Sequence, residues 1–216
     1  MASKSTAVWL PQVMFESALI VVSILVALGL DEWREKREDA ELVNNSLSTF
    51  LIEIRQNRIR VEDAAPFNQG LRQVLGSHYL KDDIKTVDEF VTMVESYSPA
   101  ALQSTAWDTA LATGSLAKME YMVVTALSLT YGLQERYELA TRSGMSDLTS
   151  PQNLAEDKLK LAMYNSIRYL DGVTRLEAEL SITYVEATSV IRLAQDKLDG
   201  ELAEIVMTPM KDLSSP

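Results

Sequence analysis

The sequence predicts an all-α chain: one N-terminal transmembrane helix continuing into a long-helix extramembrane bundle. Three observations carry this prediction. The stretch from Val13 to Trp33, VMFESALIVVSILVALGLDEW, is apolar over about the length a bilayer-spanning helix needs, ~17–25 residues. Two long stretches after it repeat apolar residues at steps of four and three, the spacing of a helix-pair seam. The 8 glycines and 6 prolines fall mostly between helical patterns. The expected organisation is an N-terminal tail over 1–11, a transmembrane helix over 12–33, a helical bundle domain over 34–207 and a flexible tail over 208–216.

Between Ala18 and Leu30 the only polar side chain is Ser23. Trp9 and Trp33 flank the run, roughly 36 Å apart at ~1.5 Å per residue, which suits two rings at opposite headgroup layers. Pro11 falls near the first turn, where its missing N–H costs little. Two other readings compete. Ala27-Leu28-Gly29 loosely matches a signal-peptide cleavage site, but Glu16 and the single Lys4 make a poor leader. A buried soluble-core helix is disfavoured by the Trp pair and by the abrupt charged boundary at Asp31. Glu16 is the ionisable group inside the segment, and intramembrane carboxylates are functional suspects. Lying about two turns inside Trp9, it can reach the interface, where the positive helix end favours its charge; a polar contact with a partner helix is the other use. Ser23 and Ala27 form a small-xxx-small pair that allows close helix packing.

This segment also carries a family resemblance. Glu16-x-x-Leu19-Ile20-Val21-x-x-Ile24-Leu25-x-Ala27-Leu28-x-x-Asp31-x-Trp33 resembles the N-terminal signature of a family of bacterial single-pass membrane proteins, E-x-x-L-I-V-x-x-I-L-x-A-L followed by Asn or Asp and then Trp. Thr105-Ala106-Trp107, Gly114-Ser115-Leu116 and Tyr131 are similar, in order, to that family's aromatic, small-Gly-x-Leu and Tyr region. The family has no assigned activity, so the resemblance implies architecture and place only: a bacterial inner membrane, a single pass, and a helical domain exported to the periplasm. The Lys and Arg count points the other way. Lys4 precedes the segment while Arg34, Lys36 and Arg37 follow it, which keeps the domain cytoplasmic.

Composition excludes several functions. With 31 acidic against 20 basic residues the net charge is −11, which argues against nucleic acid and against charge-driven docking on anionic lipid. Without cysteine there is no disulfide framework, thiol chemistry or Cys-based metal site.

The remaining helices follow in order. Residues 31–41 are dense in charge, with pairs such as Glu32–Lys36 and Arg34–Glu38 at helical spacing. Val43, Leu47, Phe50, Ile54 and Val61 then form a stripe, with Asn57 on the same seam as a register-setting polar residue or a water-facing one. One helix is expected from about Gln12 to Asp63, broken at Ala65-Pro66 and followed by a short helix from Phe67 to Leu80. Thr86-x-x-Glu89 is a capping box opening a helix to about Tyr97. A short helix spans about Ser104 to Ala112, ended by Gly114. Leu116 to Ser143 reads as a long helix closed by Gly144; its uncharged middle, Tyr121 to Leu133, predicts the centre of the bundle, packed on several sides. Ser150-Pro151 is a helix start. The helix after it carries the seam Leu159, Met163, Ser166, Leu170, Val173, Glu177, Leu180, Tyr184, Ala187, Ile191, Ala194, Leu198 and ends at Asp199-Gly200. Its obvious partner is the 43–61 stripe. Gly172 marks a candidate kink.

No constellation carries a recognisable reaction. His78 is the only histidine and has no neighbouring partner in sequence, so a metal or triad role would rest on it alone. Ser115-Leu-Ala-Lys118 matches S-x-x-K, but S-D-N and K-T-G are missing, Ser146-Asp147-Leu148 being the nearest approach. Nucleotide-binding glycine motifs and E-x-x-H pairs are absent from the sequence. Trp107 with Asp108 is the polar-aromatic pair most suited to an interaction, though packing of a short helix uses it equally well. The expectation is therefore no catalytic residue, cofactor or metal. The expected role is a non-enzymatic, membrane-anchored scaffold or accessory subunit that stabilises a larger integral membrane complex, of which a respiratory or photosynthetic assembly is one type. Its partners would be integral membrane subunits, the lipid bilayer and a second copy of itself. The alternative is an exported ligand-sensing domain on the same anchor.

Overall fold

The computed structural model describes the backbone of residues 9–150 and 152–211, and the side chains of 14–142, 144–150, 152–200 and 203. Among these residues the fold is all-α, without strands. The helices are α1 (Trp9–Lys81), α2 (Val87–Val94), α3 (Thr105–Thr113), α4 (Tyr121–Leu148) and α5 (Leu159–Lys211), with single 3-10 turns at Ser115–Lys118 and Glu156–Lys158. The chain divides into two compact units. One is the bundle, Val43–Leu198; the other contains the described residues before Val43 and after Leu198.

Before the bundle, α1 is apolar and exposed around its circumference. Met14, Phe15, Leu19, Ile20, Val21, Val22, Ile24, Leu25, Val26, Leu28 and Leu30 are all exposed. This is a helix long and apolar enough to cross a membrane. Its charged continuation is laced by ion pairs one turn apart: Lys36–Glu32 at 2.7 Å, Arg34–Glu38 at 2.8 Å and Arg37–Glu41 at 2.9 Å.

In the bundle α1 and α5 run antiparallel. Gln195 meets Asn44 and Ser48 at one end, Asn68 meets Glu177 further along, and Arg72 meets Asp171 beyond it. The third long helix, α4, runs parallel to α1, because Tyr131 contacts Glu53 and Gln134 contacts Asn57. One core joins the 43–61 stripe to α3, α4 and the α5 seam, including Phe50, Ile54, Leu127, Tyr137, Leu180, Tyr184 and Ile191. A second core at the far end packs α2 against Leu71, Leu75, Leu159, Met163 and Leu170.

Besides the start of α4, which lies at Tyr121 rather than Leu116 because Ser115–Lys118 form a separate 3-10 turn, four boundaries differ from the sequence expectation, each for a tertiary reason. α1 passes through Pro66 and runs for 73 residues. Pro66 and Glu62, whose carbonyl loses a donor, are exposed, so water can serve that carbonyl. A mid-helix proline costs ~3 kcal/mol, whereas burying Leu71 and Leu75 beyond it stabilises by ~1.5–3 kcal/mol each; continuing the seam wins. α4 likewise passes Gly144 and ends at Leu148. A Cβ there would lie 2.2 Å from Cε2 of Tyr169, so the glycine serves a close approach rather than a helix stop. α5 starts at Leu159 rather than after Ser150, because Ser150 is used by the preceding turn, its carbonyl accepting from Asn153 and Leu154; Pro151 lies outside the described residues. At its other end α5 runs past Gly200 to Lys211, so Thr208–Lys211 of the expected tail are helical, and 212–216 lie outside the described residues.

The expected central burial of α4 is also corrected. Val123, Leu127, Tyr131 and Tyr137 are buried, but Tyr121 is 82% exposed, Met122 65% and Leu129 66%. α4 packs on one side only.

Two local signals act as read. Thr86 caps α2 with both halves of the capping box present, and Gly114 ends α3 in the left-handed conformation, φ 72°.

Candidate functional site

The α1–α5 seam positions the polar groups of the bundle. Leu47, Phe50 and Ile54 on α1, and Leu180, Tyr184 and Ile191 on α5, are all buried. Stepping four and three along α1 brings Glu53, Asn57 and Asn68 into or beside the same interior, where each is buried. Asn57 and Asn68 serve the backbone of the connection between α2 and α3, and Glu53 the first turn of α3. That connection is not helical, so its buried amides and carbonyls need partners from elsewhere.

Glu53 accepts from the Ala106 amide at 2.9 Å and from the Tyr131 hydroxyl at 2.7 Å. Asn57 donates to the Gln103 carbonyl at 2.7 Å and accepts from the Gln103 amide at 3.0 Å, while Gln134 donates to the same carbonyl. Asn57 therefore holds a loop and also donates to Gln134 of the neighbouring helix α4, at 3.3 Å. Further along, Asn68 donates to Glu177 at 2.7 Å and, at 3.5 Å, to the Ser98 carbonyl. Tyr137 donates to Glu177 at 3.0 Å and accepts from the Ala100 amide at 2.8 Å. Tyr97 and Tyr169 share a hydroxyl–hydroxyl hydrogen bond of 2.8 Å.

Burial governs the electrostatics of this interior. It pushes the Glu177 carboxyl above the usual carboxylate range, with Asn68 and Tyr137 opposing the shift. The Tyr97, Tyr131, Tyr137, Tyr169 and Tyr184 hydroxyls are likewise pushed up by burial.

Trp107 and Asp108 sit on α3 beside α4. Half-buried Trp107 stacks on Tyr131 at 5.3 Å between ring centroids, and Tyr131 in turn packs on Phe50 at 5.8 Å. Asp108 is exposed and accepts from the Ser104 hydroxyl. Both border a cavity of 530 Å³ that also touches Gln134, Glu135 and Arg142.

In the apolar stretch of α1, Ser23 donates to the Leu19 carbonyl of its own helix at 2.8 Å. Glu16 and Ala27 are exposed, and Arg37 lies over the half-buried Trp33 ring at 5.9 Å. Trp9 is helical in backbone, its side chain lying outside those described.

His78 has a partner that sequence proximity undervalued. Its Nδ1 lies 2.7 Å from Asp83 across the turn that ends α1. Ser115 is buried and donates to the Ala110 carbonyl. Among the described residues no group of three His, Cys, Asp or Glu side chains could hold a metal.

No protein-family model matches the chain, and no curated protein or solved structure matches it.

Glu53, Asn68, Tyr137 and the Tyr97–Tyr169 pair are absent from the sequence reading. Asn68 was reachable: continuing the 43–61 stripe across Pro66 lands on Asn68, Leu71 and Leu75.

Proposed function

We propose that this chain is a non-enzymatic scaffold or accessory subunit, tethered by α1 and docked on a larger integral membrane assembly. The observation that carries this reading is the outer face of α4. Tyr121, Met122 and Leu129 are apolar, adjacent on one helix and exposed. An apolar face that the chain itself leaves uncovered is what a protein contact requires. The polar interior supports the same reading, since Asn57, Gln134 and Tyr137 bond the α2–α3 connection and Glu53 bonds α3. The anchor residues Trp9, Glu16, Ser23, Ala27 and Trp33 serve the bilayer and its boundaries, and the resemblance to bacterial single-pass proteins agrees with an inner-membrane chain whose bundle is exported.

The test is Met122→Glu with Leu129→Glu in the full-length protein. Size in mild detergent should fall from a large assembly to the tethered chain alone, while the melting temperature of the bundle stays unchanged. Retention of the wild-type size by the double variant would refute the docking face. A size equal to a small multiple of this chain would assign the face to a second copy.

The cavity beside Trp107 favours one second reading, an exported ligand-sensing domain. Its volume is in the range of small-molecule sites, ~300–1,000 Å³, and it joins an aromatic face to Asp108 and Arg142.

A further inference from the structure

Glu177 and Asn68 face each other across the α1–α5 seam, and both are fully buried. The one hydrogen bond between them leaves a specific imbalance. Glu177 Oε1 receives both available donors, the Asn68 amide and the Tyr137 hydroxyl. Glu177 Oε2 and Asn68 Oδ1 are buried and have no donor. The Asn68 amide cannot simply be turned round, because its nitrogen serves two acceptors, Glu177 and the Ser98 carbonyl. Two unsatisfied acceptors thus belong to two groups that are already bonded to each other. Buried acceptors are costly to leave without a donor, and the missing element common to both is a single hydrogen.

We propose that Glu177 is a proton-binding site: its Oε2 carries a proton and donates it to Asn68 Oδ1, so that acid and amide clasp α5 to α1 through two hydrogen bonds. The charges around it fit. From α1 it is faced by Asn68 and, at the rim of an adjoining groove, Arg72; from α4 by Tyr137; from the α2–α3 connection by Tyr97. Along α5 the neighbours are Tyr169, Asp171 and Arg175. Arg72 is committed to Asp171 at 2.5 Å, and Arg175 is exposed. No ion pair reaches Glu177 among the described residues, so an ionised carboxylate here would be buried without a cation. Glu53 makes the contrast: each of its oxygens has its own donor.

The groove gives the site an outlet. Glu177 borders a 420 Å³ depression between α1 and α5 with Gln69, Arg72, Thr174, Arg175 and Ser181, a path for exchange of the proton with water. The sign of the pH dependence follows. Burial raises the folded carboxyl above its ordinary value of 4.5. The clasp therefore contributes fully below that value and is lost as pH rises through the folded one. Alkalinity loosens the α1–α5 seam.

The experiment uses the full-length protein in detergent micelles, with Glu177→Gln as the neutral mimic of the acid. Infrared spectra at neutral pH should contain a protonated-carboxyl C=O band in the wild type that Glu177→Gln removes. On raising the pH above neutral, the wild-type melting temperature should fall by about 3 °C or more, while Glu177→Gln stays level. Asn68→Ala serves if Glu177→Gln does not fold: the acid band should shift on losing its acceptor. A wild-type spectrum with only ionised-carboxylate bands would overturn the proposal, and a buried water donating to both acceptors would produce that result. An identical pH slope in wild type and Glu177→Gln would overturn it too, as would an unshifted band in Asn68→Ala.

Discussion

Glu53 and Glu177 are both buried carboxylates, yet their surroundings give them different work. Glu53 ties the Ala106 amide and the Tyr131 hydroxyl to α1, which fixes the start of α3 and through Tyr131 the ring of Trp107. Replacing it with leucine keeps the bulk and strands both donors, each costing ~1–3 kcal/mol. Glu53→Leu should therefore destabilise the bundle by about 3 kcal/mol in total and speed hydrogen exchange at the Ala106 amide. Unchanged exchange at that amide, with unchanged unfolding, would mean that the α2–α3 connection is held by other contacts. Asn57 and Asn68 follow the same logic: polar residues in an apolar seam are explained by a loop passing over it.

The long helices owe their lengths to packing more than to local stop signals, and two glycines separate the cases. Gly144 has the Tyr169 ring against its backbone, and that ring is held by Tyr97 through a hydroxyl bond and an edge contact at 5.6 Å. Gly144→Ala should be net destabilising by about 1 kcal/mol, because overpacking of ~1–3 kcal/mol outweighs the ~1 kcal/mol of helix propensity gained. Gly172 has open space where a Cβ would go and lies mid-helix on an exposed position of α5. Gly172→Ala should stabilise by ~0.5–1 kcal/mol. The pair is read by denaturant midpoints in one detergent. The same sign for both would show that contact with Tyr169 does not set the role of Gly144.

At the scale of the whole molecule, the apolar stretch of α1 is long enough to cross a membrane. Leu25 and Val26 are exposed in its middle. A charge at mid-helix costs ~2.5–3.5 kcal/mol on insertion, so Leu25→Arg with Val26→Arg should leave the protein extractable by carbonate. Persistence of the double variant in the membrane pellet would show that another contact holds it there.

What was legible without coordinates was periodic and local. The 43–61 stripe, the α5 seam with Ser166 and Glu177 at its interruptions, the capping box at Thr86 and the left-handed Gly114 all follow from spacing along one helix, because a side chain's face is set by its position in the turn. The apolar length of α1 was legible for the same reason. Tertiary structure alone decided the rest. Pro66 could be passed because its outer face meets water while Leu71 and Leu75 still find a core. Gly144 continues a helix because a tyrosine from α5 needs the room. α4 is half exposed because α1, α3 and α5 cover only the side that carries Val123, Leu127, Tyr131 and Tyr137. Asn68 and Glu177 became a site only when α1 and α5 lay antiparallel. Each of these outcomes depends on what arrives from a distant part of the chain, and no local pattern encodes which polar group or ring that will be.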